Sequence, residues 1–156
     1  MPLPDICTAL WFDSDAEAAA RYYCTLFPDA RIVAVHRQMG AAQGDAFIVE
    51  FTLMGQRFQA MNGGAQYRLT PAVSVSVLLD SQDEIDRLWA ALLRDGGAAN
   101  RCGWLTDRWG LSWQIVPRAL PRLLATDAAG PVLQAMMGMV KLDIAALEAA
   151  AAGNSA

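Results

Sequence analysis

An internal repeat is the feature that most constrains how this chain can fold. Asp13–Glu17 and Asp80–Glu84 each follow a β-like run and open a helix with the same chemistry. Ser14 and Ser81 are predicted N-caps, and the glutamate three residues after each serine predicts a capping box in both places. A ligand site commonly lies where two similar units meet, so the repeat predicts a binding cleft.

The hydrophobic pattern gives both halves of the chain the element order βαβββ. In the first half, a helix ending at Pro28 lies among strands predicted over 6–12, 31–39, 47–53 and 57–62, with a loop over 40–44. In the second half, a helix that ends at Gly96-Gly97 follows a strand over 72–79, and short strands continue to a last strand over 111–116. Gly55 and Gly110 occupy matching turns.

The sequence after Pro117 changes to a helical pattern, and Asp143 is a predicted cap for its last helix. We therefore expect an α+β fold in a single domain over 1–156. Module one spans about 5–62, module two about 72–117, and a helical tail 118–150. An apolar stripe in this tail contains Val132, Met136, Met139 and Val140. Two interpretations of this stripe stay open: it packs on the domain itself, or it packs on a partner subunit.

Composition excludes several classes of function. The 156 residues carry a net charge of -4 without a basic cluster, which argues against nucleic-acid binding. No stretch resembles a membrane span of about 20 apolar residues, and no secretory leader is evident, so we expect a cytoplasmic protein. The three cysteines have no CxxC spacing and predict reduced thiols. The 54% hydrophobic content favours a buried subunit interface, and we expect a homodimer.

Few residues indicate a particular chemistry. The only histidine, His36, lies in an alternating strand, where an ordinary surface role is expected. Cys102 has no basic partner near it in the sequence that would favour a thiolate. Asn62 fits either a turn or a polar contact at a pocket mouth. Aromatic side chains that either stack on a flat ligand or pack the core are Trp11, Trp104, Trp109 and Trp113.

Gln59 and Gln114 form a pair related by the repeat, since Phe58-Gln59 and Trp113-Gln114 follow matching glycines at the same interval. Each amide carries donors and an acceptor, so the pair can recognise a carbonyl or hydroxyl group without a metal. The alternative is that both amides satisfy neighbouring backbone groups.

Four segments, spread along the chain between Leu10 and Ala150, resemble one family. They are LWFDSDAEAAARYYCTLFPDARI, NGGAQYRLTPAVSVSV, CGWLTDRWGLSWQIVP and MMGMVKLDIAALEAA. They look like the PhnB-like branch of the vicinal oxygen chelate superfamily, also called the glyoxalase, bleomycin-resistance and dioxygenase superfamily. Bacterial-type members of this branch are often labelled 3-demethylubiquinone-9 3-methyltransferase.

The resemblance implies that each module curls a mixed sheet around a cleft, with helices outside. In metal-dependent relatives, ligands come from the first and last strands of each module. The nearest positions here are Thr8, Gln59, Ser74 and Gln114, with one residue of register doubt in the first strands. Hydroxyls and neutral amides are poor ligands for a divalent transition metal ion, so we expect no metal and no cofactor. The expected cleft residues are Thr8, Trp11, Gln59, Asn62, Ser74, Cys102, Trp104 and Gln114.

Three classes of function follow, with no catalytic residue assigned. The first is a protein that binds a small, partly apolar organic molecule without a catalytic metal. The second is an enzyme of the same fold, either a metal-assisted lyase, isomerase or dioxygenase, or the methyltransferase of the family label. The label is the weaker prospect, because no glycine-rich strand-to-helix turn of the GxGxxG type occurs. The third is a structural dimer with a filled cleft.

Overall fold

The computed structural model describes residues 6–37, 46–127 and 130–153, and it is α+β. The chain divides into two compact units, with the boundary between Leu69 and Thr70. The first unit contains β1 (Thr8–Phe12), α1 (Ala16–Leu26), β2 (Ala30–Arg37), β3 (Ala46–Leu53) and β4 (Gln56–Asn62). The second contains β5 (Ser74–Leu79), α2 (Gln82–Leu93), β6 (Ala98–Ala99), β7 (Trp104–Thr106), β8 (Ser112–Pro117), α3 (Leu120–Ala125), α4 (Pro131–Gly138) and α5 (Ile144–Ala152).

The two units share one sheet topology, which confirms the repeat. The strand orders are β1-β4-β3-β2 and β5-β8-β7-β6. In each sheet the first strand pairs parallel with the last, and the remaining pairs are antiparallel. The predicted order βαβββ is therefore confirmed twice. The loop predicted over 40–44 and the end of the strand predicted over 31–39 lie outside the described residues.

In the first unit, α1 packs on one face of its sheet through aromatic contacts. Tyr23 of α1 lies 6.3 Å from Phe51 between ring centroids, and Phe51 stacks on Phe58 at 5.2 Å. All three side chains are buried. Since burying one large apolar side chain contributes about 1.5–3 kcal/mol, this row provides much of the packing between helix and sheet.

The turn between β3 and β4 fixes the register of that hairpin. Met54 and Gly55 have φ angles of 48° and 81°, the left-handed pair expected of a two-residue turn that matches the twist of the strands. Leu53 therefore pairs with Gln56, and every later pair of the hairpin follows from it.

The predicted capping box at the start of α1 is wrong. The N-cap is Asp15, and its side chain makes no capping hydrogen bond. The side chain of Asn62, at the end of β4, accepts a hydrogen bond from the Ala16 N–H at 2.8 Å and donates to the Ala46 carbonyl at 2.8 Å. Glu17 instead accepts from Arg21 and Arg37. The hydrogen bond from the Arg21 guanidinium, assisted by Arg37, lowers the pKa of Glu17 despite slight burial.

The predicted capping box of α2 is confirmed. The Ser81 hydroxyl accepts from the Glu84 N–H at 3.3 Å, and the Glu84 carboxylate accepts from the Ser81 N–H at 3.0 Å. The same sequence signature thus gives a capping box only in the second unit, because the helix start in the first unit is capped by a distant amide.

The tail helices pack around a cluster within the second unit, formed by Leu120, Val132, Leu142 and Leu147. Asp143 caps α5 as predicted, accepting from the Ala146 N–H at 2.8 Å. Met136 and Met139 pack against the cluster, whereas Met137 is 52% exposed. No helix in the described part of the chain is both long and apolar enough to cross a membrane.

Asn62→Ala should destabilise the first unit by about 1–2 kcal/mol, since it removes a helix cap and leaves the N–H of Ala16 and the carbonyl of Ala46, both buried residues, without this partner. Urea unfolding followed by circular dichroism measures this change. Ser14→Ala is the control, and its effect should stay within about 0.5 kcal/mol. A larger loss for Ser14→Ala than for Asn62→Ala would contradict the capping assignment.

Candidate functional site

The face of the first sheet opposite α1 carries a polar row across its strands. Gln59 on β4 pairs with Glu50 on β3 and with Ala9 on β1, so these three side chains share a face. Phe51 and Phe58, which face α1, alternate with them. Gln59 and Glu50 are both half-buried, which leaves their polar atoms accessible.

Glu50 makes a hydrogen bond with His36 on the same face. Its Oε1 lies 3.0 Å from Nε2 of His36, and the two side chains are 27% and 55% exposed. The sequence predicts an ordinary surface role for His36, and Glu50 is not among the predicted cleft residues. The position of Glu50 can nevertheless be read from the sequence, because a two-residue turn at Met54-Gly55 places it opposite Gln59 on the neighbouring strand.

Thr8 lies on the other face of the first sheet. Its partner across the parallel ladder is Phe58, and it shares the face of Leu10 and Phe12, which are buried. The position beside Gln59 belongs to Ala9. A shift of one residue from the predicted β1 register therefore puts Ala9, and not Thr8, on the face of Gln59.

Trp11 lies beside Met61 on the Gln59 face and is fixed by the chain that follows β4. Its indole N–H donates to the Gly64 carbonyl at 2.8 Å, and its ring meets Tyr67 edge-on at 5.0 Å. A Cβ at Gly63 would overlap the Trp11 ring, so only glycine permits this approach. Asn62, one residue earlier, caps α1 as described above.

In the second unit, the structure brings Gln114 and Ser74 together. The Gln114 amide N–H donates to the Ser74 hydroxyl at 2.8 Å. Gln114 also pairs with Ser76 on β5 and with Trp104 on β7, which places a half-buried indole beside the amide. Ser112, on the same face, is buried and its hydroxyl has no partner among the described residues.

Cys102 lies where the β6–β7 connection meets the tail. Its φ is 58°, its N–H donates to the Met139 carbonyl at 2.8 Å, and its sulfur lies 3.6 Å from that of Met137. These contacts tie Cys102 to the tail helices. Among the described side chains, only that of Met137 forms a hydrogen bond with the Cys102 thiol.

Trp113 and Trp109 surround a buried carboxylate, Asp107, in the connection to β8. Asp107 accepts from the Trp113 indole N–H at 2.8 Å and from the N–H groups of Trp109 and Leu111 at 2.9 and 3.1 Å. Trp113 is fully buried, and the Arg108 guanidinium lies 4.0 Å from the Trp109 ring. Trp113 packs in the core, and Trp109 lies in the turn before β8.

The residues at the first and last strands do not suit a divalent transition metal. The Gln59 and Gln114 rows hold neutral amides, hydroxyls and one carboxylate, and Glu50 is engaged by His36. Within residues 6–37, 46–127 and 130–153, no three His, Cys, Asp or Glu side chains cluster as a metal site requires.

The sequence and the fold match a known family. A family model described as 3-demethylubiquinone-9 3-methyltransferase matches residues 4–116. A PhnB protein from Bacillus cereus that carries the same family description is 31% identical over 73% of this chain and 99% of its own, with a TM-score of 0.66. The chain therefore belongs to the 3-demethylubiquinone-9 3-methyltransferase family, the PhnB-like branch of the vicinal oxygen chelate superfamily. The comparison with curated proteins gives no match.

More distant structures share the fold. A Pseudomonas aeruginosa protein is 20% identical over 71% of this chain and 95% of its own, with a TM-score of 0.59. The fosfomycin resistance protein FosX from Mesorhizobium loti is 18% identical over 80% of this chain and 99% of its own, with a TM-score of 0.57. These similarities confirm the predicted glyoxalase-like fold.

Gly63→Ala should destabilise the first unit by about 1–3 kcal/mol and shift the tryptophan emission, because the added methyl group must displace the Trp11 ring. Urea unfolding and fluorescence measure the two effects. Gly138→Ala is the matched control, since a Cβ there meets nothing within 4 Å. Wild-type stability and emission in Gly63→Ala would refute the assigned contact.

Proposed function

We propose that the protein binds a small, partly apolar organic molecule through the sheet faces opposite α1 and α2, without a catalytic metal. The observation that carries this proposal is the Gln114 amide, which Ser74 orients at 2.8 Å beside the half-buried Trp104. The bond to Ser74 uses an amide donor and leaves the Gln114 carbonyl oxygen to accept from a ligand hydroxyl or N–H. The adjacent indole offers an apolar surface for a flat group.

The first unit supports the same proposal with a different set of groups. Gln59 offers an amide in register with the Glu50 carboxylate, and Trp11 and Met61 supply apolar surface in the next row. A ligand with carbonyl or hydroxyl groups on an apolar frame suits these partners. That Gln59, Ser74 and Gln114 converge on one cleft stays a prediction.

Proton transfer is the second candidate function, and the His36–Glu50 hydrogen bond favours it. A carboxylate that holds one imidazole nitrogen fixes the ring and its tautomer, and leaves the other nitrogen to exchange a proton with a substrate. Methyl transfer, the activity in the family description, has less support. Gly63-Gly64 follows a strand and packs on Trp11, so it is not a nucleotide-binding turn before a helix.

Gln114→Leu should weaken ligand binding by about fivefold or more, because the leucine cannot form the hydrogen bonds of the amide. Saturation-transfer NMR with a set of phenols and aromatic ketones measures binding. Gln56→Leu is the matched control, as Gln56 is exposed and its amide makes only a 3.4 Å contact with the next carbonyl. Binding by neither class of compound would favour a structural protein, and equal binding by both variants would move the site elsewhere.

Purified protein should contain no stoichiometric zinc, nickel or iron, because the amide and hydroxyl rows offer weak donors for these ions. Elemental analysis after purification without chelators is the measurement. About one ion per chain that persists through dialysis would overturn the metal-free mechanism.

We also propose a homodimer, with a contact at the exposed side of α4. Leu133 and Met137 of α4 are 48% and 52% exposed, and Val140, two residues after the helix, is 48% exposed. Met137→Glu should then shift the sedimentation of the protein towards the monomer, since a two-fold contact introduces the charge twice. Met136→Glu is a contrasting variant, because Met136 packs inside the tail cluster and its change should lower stability instead. A monomeric wild-type chain would end this proposal.

A further inference from the structure

A separate cavity lies at the end of the second sheet, away from the Gln114 row. It has a volume of about 250 Å³ and opens where the parallel strands β5 and β8 end at Leu79 and Pro117. Ile144 of α5 adds a further apolar wall. Its volume falls just below the range of sites for drug-sized ligands, so it suits a smaller metabolite.

The charged side chains around this cavity differ in the number of hydrogen-bond partners that they have. Arg118 donates through Nε to the Asp80 carboxylate at 2.8 Å and through Nη2 to the Leu78 carbonyl at 3.1 Å, which orients the guanidinium and leaves Nη1 uncommitted. Arg122, on α3, and Glu148, on α5, also line the cavity. Neither of these two side chains forms a hydrogen bond or ion pair with another described residue.

This arrangement selects for the charge of a ligand. Because Asp80 is already paired with Arg118, the cavity retains one unpaired cation, Arg122, and one unpaired anion, Glu148. A simple anion would meet repulsion from Glu148, and a simple amine would meet repulsion from Arg122. A ligand that carries both charges satisfies all of these groups.

We propose that the cavity binds a small α-amino acid with an apolar side chain. Its carboxylate accepts hydrogen bonds from Arg118 and Arg122, and its ammonium group donates to Glu148. Its side chain lies against Leu79, Pro117 and Ile144. This site is independent of the sheet faces in the proposed function, and either proposal can fail without the other.

Leucine, isocaproate and isoamylamine test the proposal, since the two analogues keep the hydrocarbon of leucine and lack its amine or its carboxylate. Titration of the whole ¹⁵N-labelled chain should shift the backbone amides of Ala119, Arg122 and Ile144. Leucine should bind at least about tenfold more tightly than either analogue. No shift at about 10 mM leucine, or equal affinity for all three compounds, overturns the proposal.

Two variants test which side chain binds the carboxylate of leucine and which binds its ammonium group. Arg122→Gln should reduce the preference for leucine over isoamylamine, with Arg118 still able to bind the carboxylate, and Glu148→Gln should remove the preference over isocaproate. Arg122→Lys keeps the charge and should retain most of the affinity, and Arg101→Gln, an exposed site outside the cavity, is the matched control. Thermal unfolding verifies that each variant is folded. Unchanged preferences in folded Arg122→Gln and Glu148→Gln would overturn the assignment.

Discussion

The parallel pairing of the first strand with the last strand organises each unit. β1 pairs with β4 and β5 pairs with β8, so the two ends of each βαβββ segment lie side by side. Parallel neighbours need a long connection, and the helix with two further strands supplies it. The same pairing decides which side chains turn away from the helix. Gln59 and Gln114 lie opposite α1 and α2 because Phe58 and Trp113, their neighbours, take the helix-facing positions.

The two units keep this backbone and differ in chemistry. The row through Gln59 contains Ala9 and Glu50, whereas the row through Gln114 contains Ser76 and Trp104. Only the amide is common to both. Each unit thus presents one neutral amide on this face, with a charged neighbour in the first unit and an aromatic neighbour in the second. The two faces therefore offer different partners to a ligand, a carboxylate in one and an indole in the other.

Local signals in the sequence predicted local structure well. The Gly55 turn, the α2 capping box and the Asp143 cap each depend on residues within a few positions, and each was predicted from the sequence. The start of α1 was not, because its cap, Asn62, lies 46 residues away from Ala16. Thr8 was misplaced relative to Gln59 for a related reason. A hairpin turn fixes an antiparallel register, but no turn fixes the register of β1 against β4.

Hydrogen bonds join the tail to the connection before β7 and to α2, so the tail is fixed to the second unit by more than apolar packing. The Cys102 and Gly103 N–H groups donate to the carbonyls of Met139 and Val140, and Gln82 on α2 bonds to the backbone of Leu142 and Ile144. Hydrogen-bonded and packed elements of this kind open less readily than free loops. Ile144, one of the residues held in this way, lines the cavity at the strand ends, so this part of its wall is fixed by hydrogen bonds. A small molecule that binds there has less of the wall to order, which lowers the free-energy cost of binding.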